Sequence, residues 1–415
     1  MERMQDHAWF EGMVLQRFAN EEPIIRTLAW PGDEITVQPR PQDYGDLHKH
    51  LAEAKADIII AGYGFNESFR GAEGLADFKH NLRIFLASVR TRHYNGKSPP
   101  AVVLVTPIAH QHLMHEPALN AQAESNNERL DRYAIAMQRI GDEVGVGVVD
   151  AFHALGEESR INRAFETSNG IHLTDNGYQQ FGEFLFQQLF DETPKEVPAK
   201  LKAAIEDKNR QFLRKYRPLN LFYITGGRKE PYGVVNFPGE LQKLEDMTAV
   251  RERRAWDIAQ GKEVPDLVDD SKTTPLPKIT GDRPINEWAT PTGEKDAFRV
   301  DPRFEVNLFA SEEQFPELAK PIQMRWDTKG RLWVSCSTTY PQVTPGQEPN
   351  DKIVILEDTN QDGKADKCFV FAEGLNIPLS FEFAKGGLYC SEQPHLTFLH
   401  DKDGDDRMDS KSIVL

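Results

Sequence analysis

Within residues Ser168 to Tyr178 the chain packs a turn, a single histidine and a helix start. Asn169-Gly170 is a turn signal, since both residues tolerate positive φ. Asp175 is placed to cap an amphipathic segment from Gly177 to Phe190. His172 therefore falls on a loop just ahead of a helix N-terminus, a position that suits proton transfer. Such a base needs neutral donors opposite it to hold developing negative charge. A glycine N–H and an asparagine amide can supply them, and Gly32 and Asn66 each follow an apolar run. A second set of residues has metal spacing. Asp358, Asn360 and Asp362 alternate, Gly363 offers a sharp turn, and Asp366 follows. Hard oxygen donors crowded on one loop suit Ca²⁺. Asp/Asn/Gly loops of this kind also occur as plain solvated turns, and Phe369 stands where an EF-hand has its bidentate glutamate.

The elements that must place these residues read in order. Trp9 to Phe18 and Tyr44 to Ala54 are helical, and Ile24 to Ala29 is a strand ended by Pro31-Gly32-Asp33. Asp57 to Ala61, Ala101 to Val105 and Val146 to Asp150 are apolar runs typical of strands covered on both faces. Leu75 to Arg90 and Ser125 to Val144 are helices between them. This β-α alternation implies a parallel sheet with helices on both faces, whose site lies at the carboxyl ends of its strands.

These residues resemble a known family. Trp30-Pro31-Gly32-Asp33, Gly64-Phe65-Asn66-Glu67 and Asn169-Gly170-Ile171-His172-Leu173-Thr174-Asp175 look like the second, third and fifth blocks of SGNH (GDSL-type) hydrolases. The resemblance covers residues 1–192. It implies a three-layer, flavodoxin-like α/β domain and ester hydrolysis by a serine nucleophile. Gly32 and Asn66 would be the oxyanion donors and His172 the base. Two positions depart from the family. The family's serine sits in a GDS block after an N-terminal strand, whereas here a helix follows Glu2-Arg3-Met4-Gln5. The serine is thus expected upstream of Met1 or lost. The family's Asp-x-x-His is Asn169-x-x-His172, and an amide can orient an imidazole without stabilising its charged form. Ser68, the nearest serine to a motif, reads as a cap or loop hydroxyl.

Residues 193–297 read as a connector. Lys200 to Tyr216 and Leu241 to Ala259 are charged helices, Asn220 to Thr225 is a short strand, and Gly261 to Asp296 is a proline-rich extended linker. From residue 298 the pattern turns to strands. Phe304 to Phe309 alternates, and hairpins span Ile322 to Ser335 and Phe381 to Cys390. Lys352 to Leu356 and Cys368 to Phe371 flank the first acidic loop. The loop recurs in degenerate form at Asp401 to Asp406, its Asp-Gly pair 41 residues further on. Such a period suits four-stranded β-propeller blades. Pro321 to Ser335, Asn350 to Asp366 and Gly374 to Gln393 resemble the opening of the propeller in PVC-type haem-binding, glucose/sorbosone dehydrogenase-like proteins. The resemblance implies a partial propeller at 298–415, haem c, a quinone and a redox partner, but the chain has no CxxCH haem motif.

The 415 residues carry a net charge of −16, which disfavours nucleic acid as a partner. No apolar run approaches the roughly 20 residues of a membrane span, and no signal peptide is visible. A periplasmic or extracellular place follows from the resemblance. Cys336, Cys368 and Cys390 have no metal spacing and read as small buried residues, with room for one disulfide. The expected function is ester hydrolysis on a small-molecule or carbohydrate acetyl ester. The alternative is a carbohydrate-binding module, catalytically defective, serving a sugar or alcohol dehydrogenase.

Overall fold

The computed structural model describes residues 1–113, 117–154, 165–226, 228, 233–278 and 289–414, with the backbone alone at 117–119. The chain divides into two compact units. The first is Met1–Arg217 with Leu244–Thr273, and the second is Pro218–Lys243 with Thr274–Leu415.

In the first unit, helices α1 (Met4–His7), α2 (Trp9–Arg17) and α3 (Leu47–Glu53) precede strand β1 (Ile58–Gly62). Helix α4 (Leu75–Arg90), β2 (Ala101–Val105), α5 (Pro117–Val144), β3 (Gly147–Val149) and α6 (Asp175–Phe190) follow. The strands pair in the order β1-β2-β3, all parallel, with Ile58 opposite Ala101 and Val103 opposite Gly147. Parallel neighbours need a crossover, and α4 and α5 supply it. Alternate strand residues feed two cores. Ile59, Ala61, Val102 and Leu104 pack with Leu82, Leu86, Tyr133 and Met137 from α4 and α5. Ile60, Val103, Val105 and Val149 pack on the other face with Phe181 and Leu185 of α6. Burial on both faces is why the strands read as continuous apolar runs.

Three local expectations are corrected here. Ile24 to Ala29 is not a strand. Its carbonyls go to side chains instead: Lys208 Nζ reaches Ile25 O at 3.3 Å, Tyr216 Oη donates to Leu28 O at 2.8 Å, and Arg217 Nη1 to Ala29 O at 3.3 Å. With its acceptors met this way, the segment has no need of a ladder. The cap of α6 is Thr174, whose hydroxyl accepts from Gly177 N at 3.1 Å. Asp175 lies inside the first turn and pairs with His7 at 2.9 Å. The two charged helices do not form a separate connector. Helix α7 (Ala199–Tyr216) and the Leu244–Ala259 part of α8 (Asn236–Ala259) belong to the first unit. Leu201, Ala204, Ile205 and Ala255 bury against Val14 and Leu15 of α2, which apolar spacing on an otherwise charged helix permits.

The second unit is mainly β. Asn220 to Thr225 forms a helical turn at Phe222–Thr225 rather than a strand. Asn220 Oδ1 accepts from Phe222 N at 3.1 Å, and Gly226, at φ +62°, closes the turn. Within the expected linker, α9 (Pro291–Ala297) is capped by Thr290. Phe304 to Phe309 joins no sheet. Asn307 Nδ2 and the Phe309 carbonyl are spent on Gly363 O and Ala365 N of the acidic loop. Two four-stranded antiparallel sheets follow. One is β4 (Pro321–Trp326), β5 (Leu332–Cys336), β6 (Asp351–Glu357) and β7 (Lys367–Leu375). The other is β8 (Ser380–Ala384), β9 (Gly387–Glu392), β10 (His395–His400) and β11 (Ser410–Ile413). Each is an open meander, so neighbours in sequence are neighbours in the sheet. The two acidic loops join the third strand to the fourth in their respective sheets, which is the structural content of the 41-residue spacing. Arg331 links the sheets, forking onto Asp406 at 2.6 and 2.9 Å and holding Asp327 at 2.8 Å. The three cysteines are free, and burial pushes the thiols of Cys336 and Cys390 up to about 12. Among the described residues no helix is long and apolar enough to cross a membrane.

Candidate functional site

Gly32 sits at φ +78° in the turn after Trp30, where Asp33 N bonds Trp30 O at 3.3 Å. Nothing lies within 4 Å of where a β-carbon would stand, so its surroundings are open. Asn66, beyond the carboxyl end of β1, donates from Nδ2 to Asp33 O at 3.0 Å. One amide proton is used there and the other is left for a ligand. Glu67 makes the same junction from below. Its carboxylate accepts from Ile35 N at 3.0 Å and Gly64 N at 2.9 Å, and burial raises its pKa. The two expected oxyanion donors thus stand on loops tied together by two hydrogen bonds, Asn66 Nδ2 to Asp33 O and Ile35 N to Glu67, while Gly64 N fixes Glu67 within its own loop.

His172 occupies the tip of a small hairpin. Ser168 N bonds His172 O at 2.9 Å, with a bridge between Thr167 and Leu173. Asn169 folds back on the turn, and its Oδ1 accepts from His172 N at 2.9 Å and Ile171 N at 3.3 Å. Asn169 Nδ2 lies 2.9 Å from His172 Nδ1, with Oδ1 at 3.2 Å. The imidazole is half-buried. That desolvation, with the Arg3 guanidinium second, holds its pKa below the ordinary histidine value. Nε2 has no hydrogen-bond partner among the described residues, so it is the nitrogen open to a ligand.

Contacts at the carboxyl ends of β1 and β2 connect these loops. A β-carbon on Gly64 would stand 3.5 Å from Pro107, in the loop after β2. The same loop holds the histidine hairpin: Gln111 N bonds Gly170 O at 2.8 Å, and the His110 ring fills the space beside Gly170. Met1 lies against Gly62, the last residue of β1, and its amino group is buried. Arg217 reaches both Glu2, at 3.2 Å, and the Ala29 carbonyl that leads into Trp30-Pro31-Gly32. Glu2 and Arg3 in turn lie within electrostatic reach of His172.

Ser68 is buried in a short 3₁₀ helix, Glu67–Arg70, and donates to Phe65 O at 2.6 Å, so its hydroxyl is spent on local backbone. Sequence reasoning missed three polar residues. Glu67 carries no signal beyond following Asn66, and His110 none at all. His153 had one, since Asp150-Ala151-Phe152-His153 repeats the Asx-x-x-His spacing. Its Nδ1 lies 2.8 Å from Asp150 Oδ2 and its Nε2 lies 2.7 Å from Asp131 Oδ1.

In the second unit, the first acidic loop folds on its own backbone. Asp358 accepts from Asp362 N at 3.2 Å and Gly363 N at 2.8 Å. Asn360 Oδ1 accepts from Asp362 N at 3.0 Å, and Asp362 Oδ1 from Lys364 N at 2.9 Å. Asp366 takes Thr359 N at 2.9 Å and its hydroxyl at 2.8 Å. Each carboxylate keeps further lone pairs. In the second loop, Asp401, Asp403 and Asp405 bring three carboxylate oxygens within 4.8 Å of one another.

Residues 5–180 match the model of the GDSL-like Lipase/Acylhydrolase family, and residues 290–415 match that of a domain of unknown function (DUF7133). The N-terminal part is thus a GDSL-like lipase/acylhydrolase (SGNH) domain, followed by a C-terminal domain to which no function is attached. Similar solved structures include the inhibitor-bound aryl esterase of M. Smegmatis (18% identity, TM-score 0.35, covering 45% of this chain and 86% of that one). The carbohydrate acetylesterase Est24 of Sinorhizobium meliloti matches at 14% identity and TM-score 0.33, covering 45% and 85%. A catalytic mutant of Axe2, an acetylxylan esterase from Geobacillus stearothermophilus, matches at 16% identity and TM-score 0.28, covering 40% and 71%. No curated protein matches the chain.

Proposed function

We propose that the first unit is an ester hydrolase acting on small acyl esters, carbohydrate acetyl esters in particular. The observation that carries this reading is the bond from Asn66 Nδ2 to the Asp33 carbonyl, which holds the amide beside the Gly32 turn. In the proposed reaction His172 Nε2 takes the proton of a hydroxyl nucleophile as its oxygen attacks the acyl carbon. The Gly32 N–H and the second Asn66 Nδ2–H hold the resulting oxyanion. His172 then returns the proton to the leaving alkoxide, and water releases the acyl group by the same steps. The hydroxyl that serves as nucleophile is left unassigned among the described residues. The test is p-nitrophenyl acetate and acetylated xylooligosaccharide turnover by the full-length protein against a His172→Ala variant. Loss of about 10²-fold or more supports the mechanism, and equal rates remove His172 from it.

A second reading is favoured by one observation, the Asn169 amide against His172 Nδ1. An amide cannot stabilise an imidazolium as a carboxylate does, so the cleft would bind carbohydrate esters without turning them over. Saturable binding of acetylated oligosaccharide with no product would select it.

For residues 298–415 the proposal is the first blades of a dehydrogenase-like β-propeller, supported by two meanders of the same strand order with an acidic loop at the same place. Ca²⁺ is proposed at Asp358, Asn360, Asp362 and Asp366. Isothermal titration giving no heat, with no chelator effect on melting, would remove it. Haem c, a quinone, a redox partner and export rest on the family resemblance alone.

A further inference from the structure

The hairpin around His172 fixes more than the position of the ring. Asn169 Oδ1 is committed to two backbone donors, His172 N at 2.9 Å and Ile171 N at 3.3 Å. Turning the amide over would aim its NH₂ at those same N–H groups and leave all of them unpaired. The amide orientation is therefore dictated by the backbone. In that orientation Nδ2, a donor only, is the nearer atom to His172 Nδ1, at 2.9 Å. Oδ1 stands farther from Nδ1, at 3.2 Å, and already serves the two backbone N–H groups, so Nδ1 offers its lone pair to Nδ2, and a neutral imidazole has one proton to place.

We propose that Asn169 is a positioning residue that holds His172 as the Nε2–H tautomer, so that the ring presents a donor, not a base, to the cleft. The inference rests on the reading of His172 as the proton carrier of this site, and it adds what limits that carrier. A general base needs its lone pair on Nε2, so each turnover must pass through the minor tautomer. In its major form the ring is a third neutral donor, alongside Gly32 and Asn66, suited to binding an acyl oxygen. Burial, which lowers the pKa of the imidazole, works in the same direction.

Asn169→Asp reverses the contact. A carboxylate still accepts from His172 N, while its second oxygen now accepts from Nδ1–H, which frees the Nε2 lone pair. The arrangement already exists in this chain at Asp150 and His153.

The experiment is a long-range ¹H–¹⁵N correlation of the imidazoles in ¹⁵N-labelled full-length protein at mildly alkaline pH. A His172→Gln variant picks out one spin system among the 12 histidines. The expected spectrum has Nδ1 of His172 in the unprotonated range and Nε2 in the protonated range, and Asn169→Asp exchanges them. Protonated Nδ1 in the unsubstituted protein, or an unchanged pattern in Asn169→Asp, overturns the inference. Should the variant not fold, the first spectrum decides alone. Kinetics separate this from the hydrolase reading. In triad enzymes the carboxylate-to-amide exchange costs about 10⁴-fold in kcat. Asn169→Asp is therefore expected to raise kcat on p-nitrophenyl acetate by about 10²-fold or more, with KM within about twofold. An exchanged tautomer with no turnover in either protein upholds the inference and removes the hydrolase reading.

Discussion

Two histidines of the first unit hang on an Asx residue three positions upstream, by the same pair of contacts. At His153 the backbone N–H goes to Asp150 Oδ1 at 3.1 Å and Nδ1 to Asp150 Oδ2 at 2.8 Å. At His172 the backbone N–H goes to Asn169 Oδ1 at 2.9 Å and Nδ1 to Asn169 Nδ2 at 2.9 Å. The geometry is shared and one atom differs. That atom decides which ring nitrogen carries the proton. His153 is enclosed on both sides, because Nε2 meets Asp131 at 2.7 Å. Each ring nitrogen faces a carboxylate, so neither is left for a ligand. His172 has the opposite pattern, with Nδ1 facing a donor and Nε2 open. The comparison teaches that Asx-x-x-His builds a rigid perch, and that the chemistry comes from what the side-chain tip is and what stands at the far nitrogen.

The perch itself can be broken most severely at Gly170, which only the His172 copy has. It sits at φ +91°, and a β-carbon there would stand 2.7 Å from the His110 ring and 2.8 Å from Gln111 O. Ala151 and Phe152 need no positive φ in the other copy. Gly170→Ala is expected to cost about 2–4 kcal/mol in urea unfolding, since it combines backbone strain with a clash against a backbone oxygen. A cost within about 0.5 kcal/mol would mean that the hairpin is not held as described. The tip exchange at Asn169 comes next in size, read as the kcat gain given above.

The reciprocal exchange sharpens the comparison. Asp150 also accepts from Thr106 Oγ1 at 3.1 Å and from Gln138 Nε2, so its carboxylate serves four donors. Asp150→Asn replaces one accepting oxygen by an NH₂ facing donors. The expected cost is about 1–3 kcal/mol, seen as a lower Tm, with esterase turnover unchanged. A fall in turnover without a fall in Tm would move His153 into the chemistry and dissolve the contrast drawn here.

The fold was legible where burial writes a period into the residues. Ala101–Val105 and Leu75–Arg90 lie at the boundaries that the sequence suggests, because strands covered on two faces and a helix covered on one carry unmistakable apolar patterns. Ile24 to Ala29 has the same composition as those strands, yet its carbonyls are met by Lys208, Tyr216 and Arg217, residues about 180 positions away. No local pattern reports such partners. At the candidate site, spacing and turn chemistry single out Gly32, Asn66 and His172 as candidates, whereas Glu67 has no such signal, because a buried carboxylate that ties two loops looks in sequence like any exposed acid. The 41-residue spacing was legible as a repeat of acidic loops, and each loop does join the third strand of a sheet to its fourth.

The smallest effect is in pH. Burial, and then the positive charge of Arg3, lower the pKa of His172, with Glu2 opposing them. The folded ring therefore gives up its proton more readily than the unfolded one. Between the two values the unfolded state binds more protons, so the contribution to stability is complete above about pH 6.5 and declines as the pH falls below it. For the reaction, the same shift places the acid limb of kcat/KM below about 6.5. Arg3→Gln removes the second cause and is expected to move that limb upward. An acid limb that ignores Arg3→Gln would assign the titration to a group other than His172, and with it the identity of the proton carrier.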